Sequence, residues 1–190
     1  MIDVWFTSDH HFGHKNILEY EKEARPFSTL KEMHEVMIDR WNKVVKPKDI
    51  IYHLGDFAFG KHNIEHAKRL NGTKRLIMGN HDTYPAEVYL NHFHKLYGTV
   101  FYERCVLSHV PVHPSVLGSR WLLNLHGHLH SRKVMLPDPF TTQVWTNPEG
   151  ITSIFPDRVG DKNYFNVSVE QNNLTPFHRD VIMDMMKELK

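Results

Sequence analysis

Val4-Trp5-Phe6-Thr7-Ser8-Asp9-His10-His11 sets the pattern of the chain: a short β-prone run that breaks off on polar side chains able to bind a metal. Valine, aromatic residues and threonine favour an extended, packed backbone. Ser-Asp-His-His does not continue a buried strand. The same punctuation returns further on. A strand expected at 49–54 stops at Gly55-Asp56, and one at 74–78 stops at Gly79-Asn80-His81-Asp82. Residues 104–107 run into Ser108-His109, and 121–125 into His126-Gly127-His128-Leu129-His130. Strands that end in glycine-permitted polar turns deliver side chains to one edge of a sheet, where ligands gather in open α/β folds. One such end is weak evidence, but packing alone does not explain the repetition.

Helical stretches fall between these runs. Ser28-Thr29-Leu30-Lys31-Glu32 has the hydroxyl cap and first-turn acid of a helix start. The helix carries Leu30, Met33, Val36, Met37 and Trp41 on an apolar stripe and ends before Pro47. Residues 62–70 suggest a second helix, closed by Asn71-Gly72. A late strand is expected at 164–169 and a closing helix at 181–189. Residues 137–160, rich in Pro, Thr and Asn, are expected to form a long loop or irregular insertion. No linker, repeat or low-complexity run interrupts 1–190, so one domain is expected.

Composition narrows the function classes. The 190 residues include 23 basic and 22 acidic side chains, a net charge of +1. That balance gives no polyanion-binding tail and no membrane patch. Cys105 stands alone, which excludes an internal disulfide or a cysteine-rich zinc knot and reads as a small buried residue. No leader-like or membrane-spanning run is seen, so a cytoplasmic protein with no membrane partner is expected. The unusual number is 16 histidines. Histidine is the commonest metal ligand and also a general acid or base.

The ligand inventory at the strand ends is Asp9, His11, Asp56, Asn80, His109, His128 and His130. Carboxylate, imidazole and amide donors without thiolate suit Mn, Fe, Co, Ni or Zn. Asp9-x-His11 and His128-x-His130 have the period-two spacing that, on a strand, turns both side chains one way. Two such pairs can converge on a metal cluster, with Asp56 and Asn80 between them.

These residues resemble the five ordered motifs of the calcineurin-like metallophosphoesterases: Asp9-x-His11, Gly55-Asp56, Gly79-Asn80-His81-Asp82, His109 and Gly127-His128-x-His130. Residues 9–14, 74–82 and 166–176 are further similar to the small bacterial and phage members. The resemblance implies an α/β layered sandwich, two facing mixed β-sheets flanked by helices. It implies two divalent metal ions, manganese foremost with Fe, Ni, Co or Zn as alternatives. Asp9, His11, Asp56 and His130 would hold one; Asp56, Asn80, His109 and His128 the other. Asp56 and a hydroxide would bridge them, offsetting the repulsion of two dications roughly 3.5–4 Å apart. His81 would assist the leaving group, and Asp82 would support the site without binding metal. His14 and Arg25, with Asn80, are candidates for contact with the substrate phosphate, since a guanidinium suits bidentate anion recognition.

The other histidines carry less. His126 is read as a hydrogen-bonding or supporting residue, His53 as a buried polar one and His113 as part of a loop. His34, His62, His66, His92, His94 and His178 are taken as surface or structural. The protein-phosphatase branch has an Asp, Arg and Gly soon after the Gly-Asp pair. Here Asp56 is followed by Phe57-Ala58-Phe59-Gly60-Lys61, which puts phosphoprotein hydrolysis in doubt. The expected activity is hydrolysis of a small, accessible phosphomonoester or phosphodiester. A nuclease using the same centre is the alternative, with nucleic acid as substrate, although Lys and Arg are dispersed with no basic track. A metal-holding scaffold is the non-enzyme alternative; such a protein usually lacks a key ligand or the catalytic histidine, and all are present here. Substrate identity and oligomeric state are not readable from the chain.

Overall fold

The computed structural model describes residues 2–146 and 152–189. Its strands are β1 (Val4–Thr7), β2 (Ile50–His53), β3 (Thr73–Ile77), β4 (Lys95–Tyr97), β5 (Val100–Tyr102), β6 (Cys105–Leu107), β7 (Leu123–His126), β8 (Met135–Thr146), β9 (Thr152–Gly160), β10 (Tyr164–Asn166) and β11 (Phe177–His178). Its α-helices are α1 (Ile17–Tyr20), α2 (Leu30–Val44), α3 (Ala86–Leu90) and α4 (Arg179–Glu188). One sheet has the order β11-β1-β2-β3-β4, parallel except for β11. The second has the order β10-β7-β6-β5, parallel except for β5. Both are mixed, and with the helices they make the layered α/β sandwich expected from the motifs. Among the described residues, no helix is long and apolar enough to cross a membrane.

The central strands are apolar on both faces because each face packs on something. Successive side chains of a strand point to opposite sides. Ile51 and Leu76 face outward to Met33, Met37 and Trp41 of α2. Phe6, Tyr52 and Ile77 face inward to Leu107, Leu123 and Leu125 of the second sheet, where α4 adds Ile182 and Met186. The lone Cys105 is buried in this inter-sheet core. The start of α2 is set by Thr29, whose Oγ1 accepts the Glu32 N–H at 3.1 Å, while the Glu32 carboxylate accepts from Ser28 N–H. This reciprocal cap satisfies donors that a helix otherwise leaves bare.

Three expectations change. Residues 137–160 are not an irregular loop: β8 and β9 pair antiparallel from Met135↔Gly160 to Thr146↔Thr152, and residues 147–151 lie outside the described residues. Prolines suggested a break, but a two-stranded ribbon has open edges that tolerate them. The register shifts between Pro137 and Thr142, the stretch that contains Pro139. The helix expected at 62–70 is a 3₁₀ helix, Lys61–Arg69. The strand expected at 164–169 ends at Asn166, and Val169 already begins a 3₁₀ turn.

Phe6 is fully buried between the sheets, stacked on Tyr52 at 5.8 Å and edge-on to Tyr102 at 5.5 Å. Phe6→Ala is expected to cost about 3–5 kcal/mol by lost transfer energy and cavity. Urea denaturation measures it; a loss below about 1 kcal/mol would show that the sheets do not pack through this residue.

Candidate metal centre

Strands β1, β2 and β3 run parallel, so their C-terminal ends share one edge; those of β6 and β7 reach the same region from the second sheet. The turns beyond β1 and β2 travel side by side. Asp9 N–H donates to Gly55 O at 3.0 Å, His11 N–H to Asp56 O at 3.1 Å and Phe12 N–H to Phe57 O at 3.0 Å. The sheets are joined here: beyond β10, Val169 N–H donates to Ser8 O at 3.2 Å, beside a parallel bridge between Ser8 and Ser168.

Two groups of donors result. Asp9, His11 and His130 form one, and Asp56, His109 and His128 the other, with ligand atoms of each group within 4.8 Å of one another. Asp56 reaches both: its Oδ2 lies 3.5 Å from His11 Nε2 and 3.4 Å from His109 Nε2. Asn80 joins the second group through Oδ1, 2.8 Å from His109 Nε2 and 3.0 Å from His128 Nδ1.

The local backbone is unusual. Asp9, His11, Asp56, His128 and His130 all have φ between 51° and 68°, in the left-handed region. Asp and His enter it more readily than most residues but still at a cost. The sharp bend turns each side chain off the strand and toward the shared edge. Glycines leave room for the carboxylates: a Cβ on Gly79 would lie 2.2 Å from Asp56 Oδ1, and one on Gly127 would lie 2.3 Å from Asp9 Oδ2.

Asp9 and Asp56 are 0% and 1% exposed. Burial pushes the Asp9 carboxyl up, but His11, His130 and His109 outweigh it and hold it well below the usual carboxylate range. Burial likewise opposes ionisation of Asp56, and His109 together with the His81 N–H lowers it overall. His109 shows the reciprocal effect. Burial pushes it down, yet Asp56 and Asp9 raise it to about 9. Two buried carboxylates this close call for cationic partners.

The donor set fits divalent ions. His11 is 2% exposed, and neither of its ring nitrogens has a hydrogen-bond partner among the described residues. Such an orphaned buried group is costly unless something binds it. Other donors are already oriented: His109 Nδ1 lies 2.8 Å from Leu54 O, and His130 Nδ1 lies 2.9 Å from Glu170 Oε1, which turns Nε2 of His109 toward Asp56 and Asn80 and Nε2 of His130 toward Asp9.

His81 and His14 lie beside this centre. His81 donates its N–H to Asp56 Oδ1 at 2.9 Å, and its Nε2 is 3.9 Å from Asp56 Oδ2 with the side chain partly exposed. His14 stacks on Phe59 at 3.9 Å; burial, then His11 and His81, push it down to about 4. Asp82 is buried and accepts the N–H groups of Asp56, Phe57 and Gly79 at 2.8, 3.1 and 2.9 Å, tying the β2 and β3 turns together. Those donors counteract burial only in part, and its carboxyl is pushed up to about 6.

Arg25 is not presented to a substrate. It is fully buried, donating to His10 O at 2.9 Å, Asp9 O at 2.5 Å and Glu170 Oε1 at 2.8 Å. The guanidinium neutralises a buried carboxylate and ties down the turn that carries Asp9, so its expected phosphate contact is corrected. Sequence reasoning gave no role to Glu170, to Ser168, whose Oγ donates to Asp9 Oδ2 at 3.0 Å, or to His10, whose Nδ1 meets His53 Nε2 at 2.9 Å. The first two fall within 166–176, a stretch whose resemblance to other small members was the only signal. His126 turns Nδ1 to Gly127 O, a hydrogen-bonding role as expected.

Fold and site together define a two-sheet α/β protein with two Asp/His groups at its strand ends that could each hold a metal ion. The chain belongs to the calcineurin-like phosphoesterase family, whose model matches residues 2–182. It is 31% identical over 197 residues to the uncharacterised protein MJ1445 of Methanocaldococcus jannaschii, covering 100% of this chain and 94% of that one. A gene 66 protein of a Mycobacterium phage is 31% identical over 166 residues, covering 70% of this chain and 80% of its own. A solved structure, the protein of unknown function AQ665 from Aquifex aeolicus, is 26% identical with a TM-score of 0.66, covering 97% of this chain and 100% of that one.

Glu170→Ala is expected to weaken metal binding about 10- to 100-fold by freeing His130 to rotate. It should also destabilise the fold by about 3–5 kcal/mol, because Arg25 loses its buried partner. Glu170→Gln, which keeps an acceptor for His130, should lose less affinity. Manganese titration calorimetry compares them; equal affinity of Glu170→Ala and the native chain would remove the orienting role.

Proposed function

We propose that the chain hydrolyses phosphate esters at a dinuclear metal centre. The observation that carries this is the place of Asp56, whose Oδ2 lies within 3.5 Å of a histidine from each donor group. One carboxylate so placed suits two cations held as a pair. Asp9, His11, Asp56 and His130 would hold one, and Asp56, Asn80, His109 and His128 the other. Two divalent ions, when bound, supply the charge that draws in a phosphoryl group and the acidity that lets water act as nucleophile near neutral pH.

The remaining roles belong to the chain itself. His81 is partly exposed beside the shared carboxylate, with its N–H anchored on Asp56, so its ring faces the space where a phosphoryl group would sit. As water's oxygen bonds to phosphorus, the bond to the leaving oxygen breaks with its electron pair. That oxygen takes the proton His81 carries, and the proton lost by water passes to solvent. His14, largely neutral near pH 7, serves as a hydrogen-bond donor to a phosphoryl oxygen rather than as a charge. Asp82 holds the turns on which Asp56 and His81 stand. Every proposed ligand and His81 are present, which favours an enzyme over a scaffold. Manganese is the first metal to test.

Asp56→Asn should lose activity and retain less than one metal per chain, because both groups share this carboxylate. Metal counting on the purified variant checks it; two retained ions with native turnover would end the model. His81→Ala should keep both metals and lower kcat by about 10²–10⁴, the size of a lost general acid. An unchanged rate would remove His81 from the mechanism.

A further inference from the structure

A cleft of about 770 Å³ opens directly beside the donor groups, with His11, His81 and His130 on its inner wall. We propose that this cleft receives the leaving group of the ester, and that it selects an uncharged planar group attached to a single phosphoryl unit. This rests on the hydrolase reading above and names its substrate class.

His81 fixes the orientation. It lines the cleft and also stands beside Asp56. A group that gives its proton to the leaving oxygen must face that oxygen, so the leaving group extends past His81 into the cleft. The orphaned nitrogens of His11 mark the inner end as the ion-binding end.

The outer end is a different environment. Tyr20, at the end of α1, lines it and is 67% exposed. Its ring meets His14 edge-on at 6.1 Å, so it does not stack on the protein. An exposed aromatic ring at a cleft mouth gives a flat ligand a face to pack against. The charges there are mostly negative: Glu19, Glu21 and Glu23 line the cleft against Lys22 and Arg132. Glu21 is engaged by the Ser131 hydroxyl, and Glu19 and Glu23 are exposed. A second phosphate carried into the cleft would meet three carboxylates against two cations, a net negative lining that disfavours it. A nucleoside-like or benzyl-like group escapes that repulsion. A polynucleotide, with a phosphate on each neighbouring unit, does not, and the nuclease alternative loses ground on this wall.

The test is calorimetric titration of the manganese-loaded protein with three non-hydrolysable phosphonates: methylphosphonate, benzylphosphonate and para-carboxybenzylphosphonate. Benzylphosphonate should bind about five- to tenfold more tightly than methylphosphonate, the size of one aromatic contact. Tyr20→Ala should bring the two within about twofold. The carboxylated analogue should bind more weakly than benzylphosphonate in the native chain and recover in the Glu19→Gln, Glu23→Gln double variant. Equal affinity of methyl- and benzylphosphonate, or no effect of Tyr20→Ala, overturns the proposal. Turnover of para-nitrophenyl phosphate by the same samples separates the two readings. Turnover without an affinity difference overturns the cleft assignment alone. The expected affinity order without turnover, with metals in place, overturns the hydrolase reading.

Discussion

Two carboxylates buried a few ångströms from the same histidine govern the rest of this molecule. His11 Nε2 lies 3.8 Å from Asp9 Oδ1 and 3.5 Å from Asp56 Oδ2, and neither acid has access to bulk water. Burying one ionised carboxylate is costly, and burying two together adds their repulsion. The fold answers with hydrogen bonds first. Asp9 accepts the His128 N–H on both oxygens and the Ser168 hydroxyl on one, while Asp56 accepts the His81 N–H. These donors come from the far sheet, from the segment after β10 and from the β3 turn, so the acids also clamp the two sheets together. Neutral donors only partly offset the charge. What remains is a site built to attract cations.

That demand explains the backbone. A regular strand would point Asp9 and His11 to one face, where they would compete with the core for space. The left-handed turn at each residue instead lifts the side chain over the sheet edge. The conformation costs of order 1 kcal/mol or more at each non-glycine residue and persists only where the surroundings fix it. Those surroundings are the parallel turns after β1 and β2, laced by main-chain hydrogen bonds, and the buried Arg25–Glu170 pair beneath them. Arg25 reaches the carbonyls of Asp9 and His10 and so holds the turn from below, and Glu170 holds His130 from the side.

The readability of the site followed from that geometry. Ligands set one after another at strand ends leave a linear signature, because each strand contributes a local motif. Asp9, His11, Asp56, Asn80, His109, His128 and His130 were all found that way and come together in space. Support residues leave no such trace. Glu170 meets Arg25 across 145 positions, and no local pattern in either segment announces the pairing. Arg25 was misplaced for the same reason: beside a proline on a polar stretch it resembles a surface arginine, and only the tertiary contact shows it buried. The β8–β9 ribbon was missed because its prolines speak against a strand in a sheet interior, whereas a two-stranded ribbon has only edges. In the 3₁₀ segment Lys61–Arg69, Ile64 and Ala67 bury at a spacing of three, a period that a helical pattern of this length does not distinguish from α.

The division of labour between the two ends of the site follows from chain topology. The inner end is made by strand termini from both sheets, so its donors are fixed by the hydrogen-bond ladders that define the fold. The outer end is made by α1, the polar residues after it and the turn beyond His130, which pack on the core through few buried residues, Ile17 among them. Substitutions there leave the ladders and the buried carboxylates untouched. Under the proposed function, phosphoryl chemistry would be tied to the architecture, while the choice of leaving group would sit on α1 and the residues after it. Under the proposed cleft assignment, the side chains open to such change are the exposed Tyr20, Glu19 and Glu23, whereas Glu21 accepts from the Ser131 hydroxyl and so ties this segment to the turn just beyond His130.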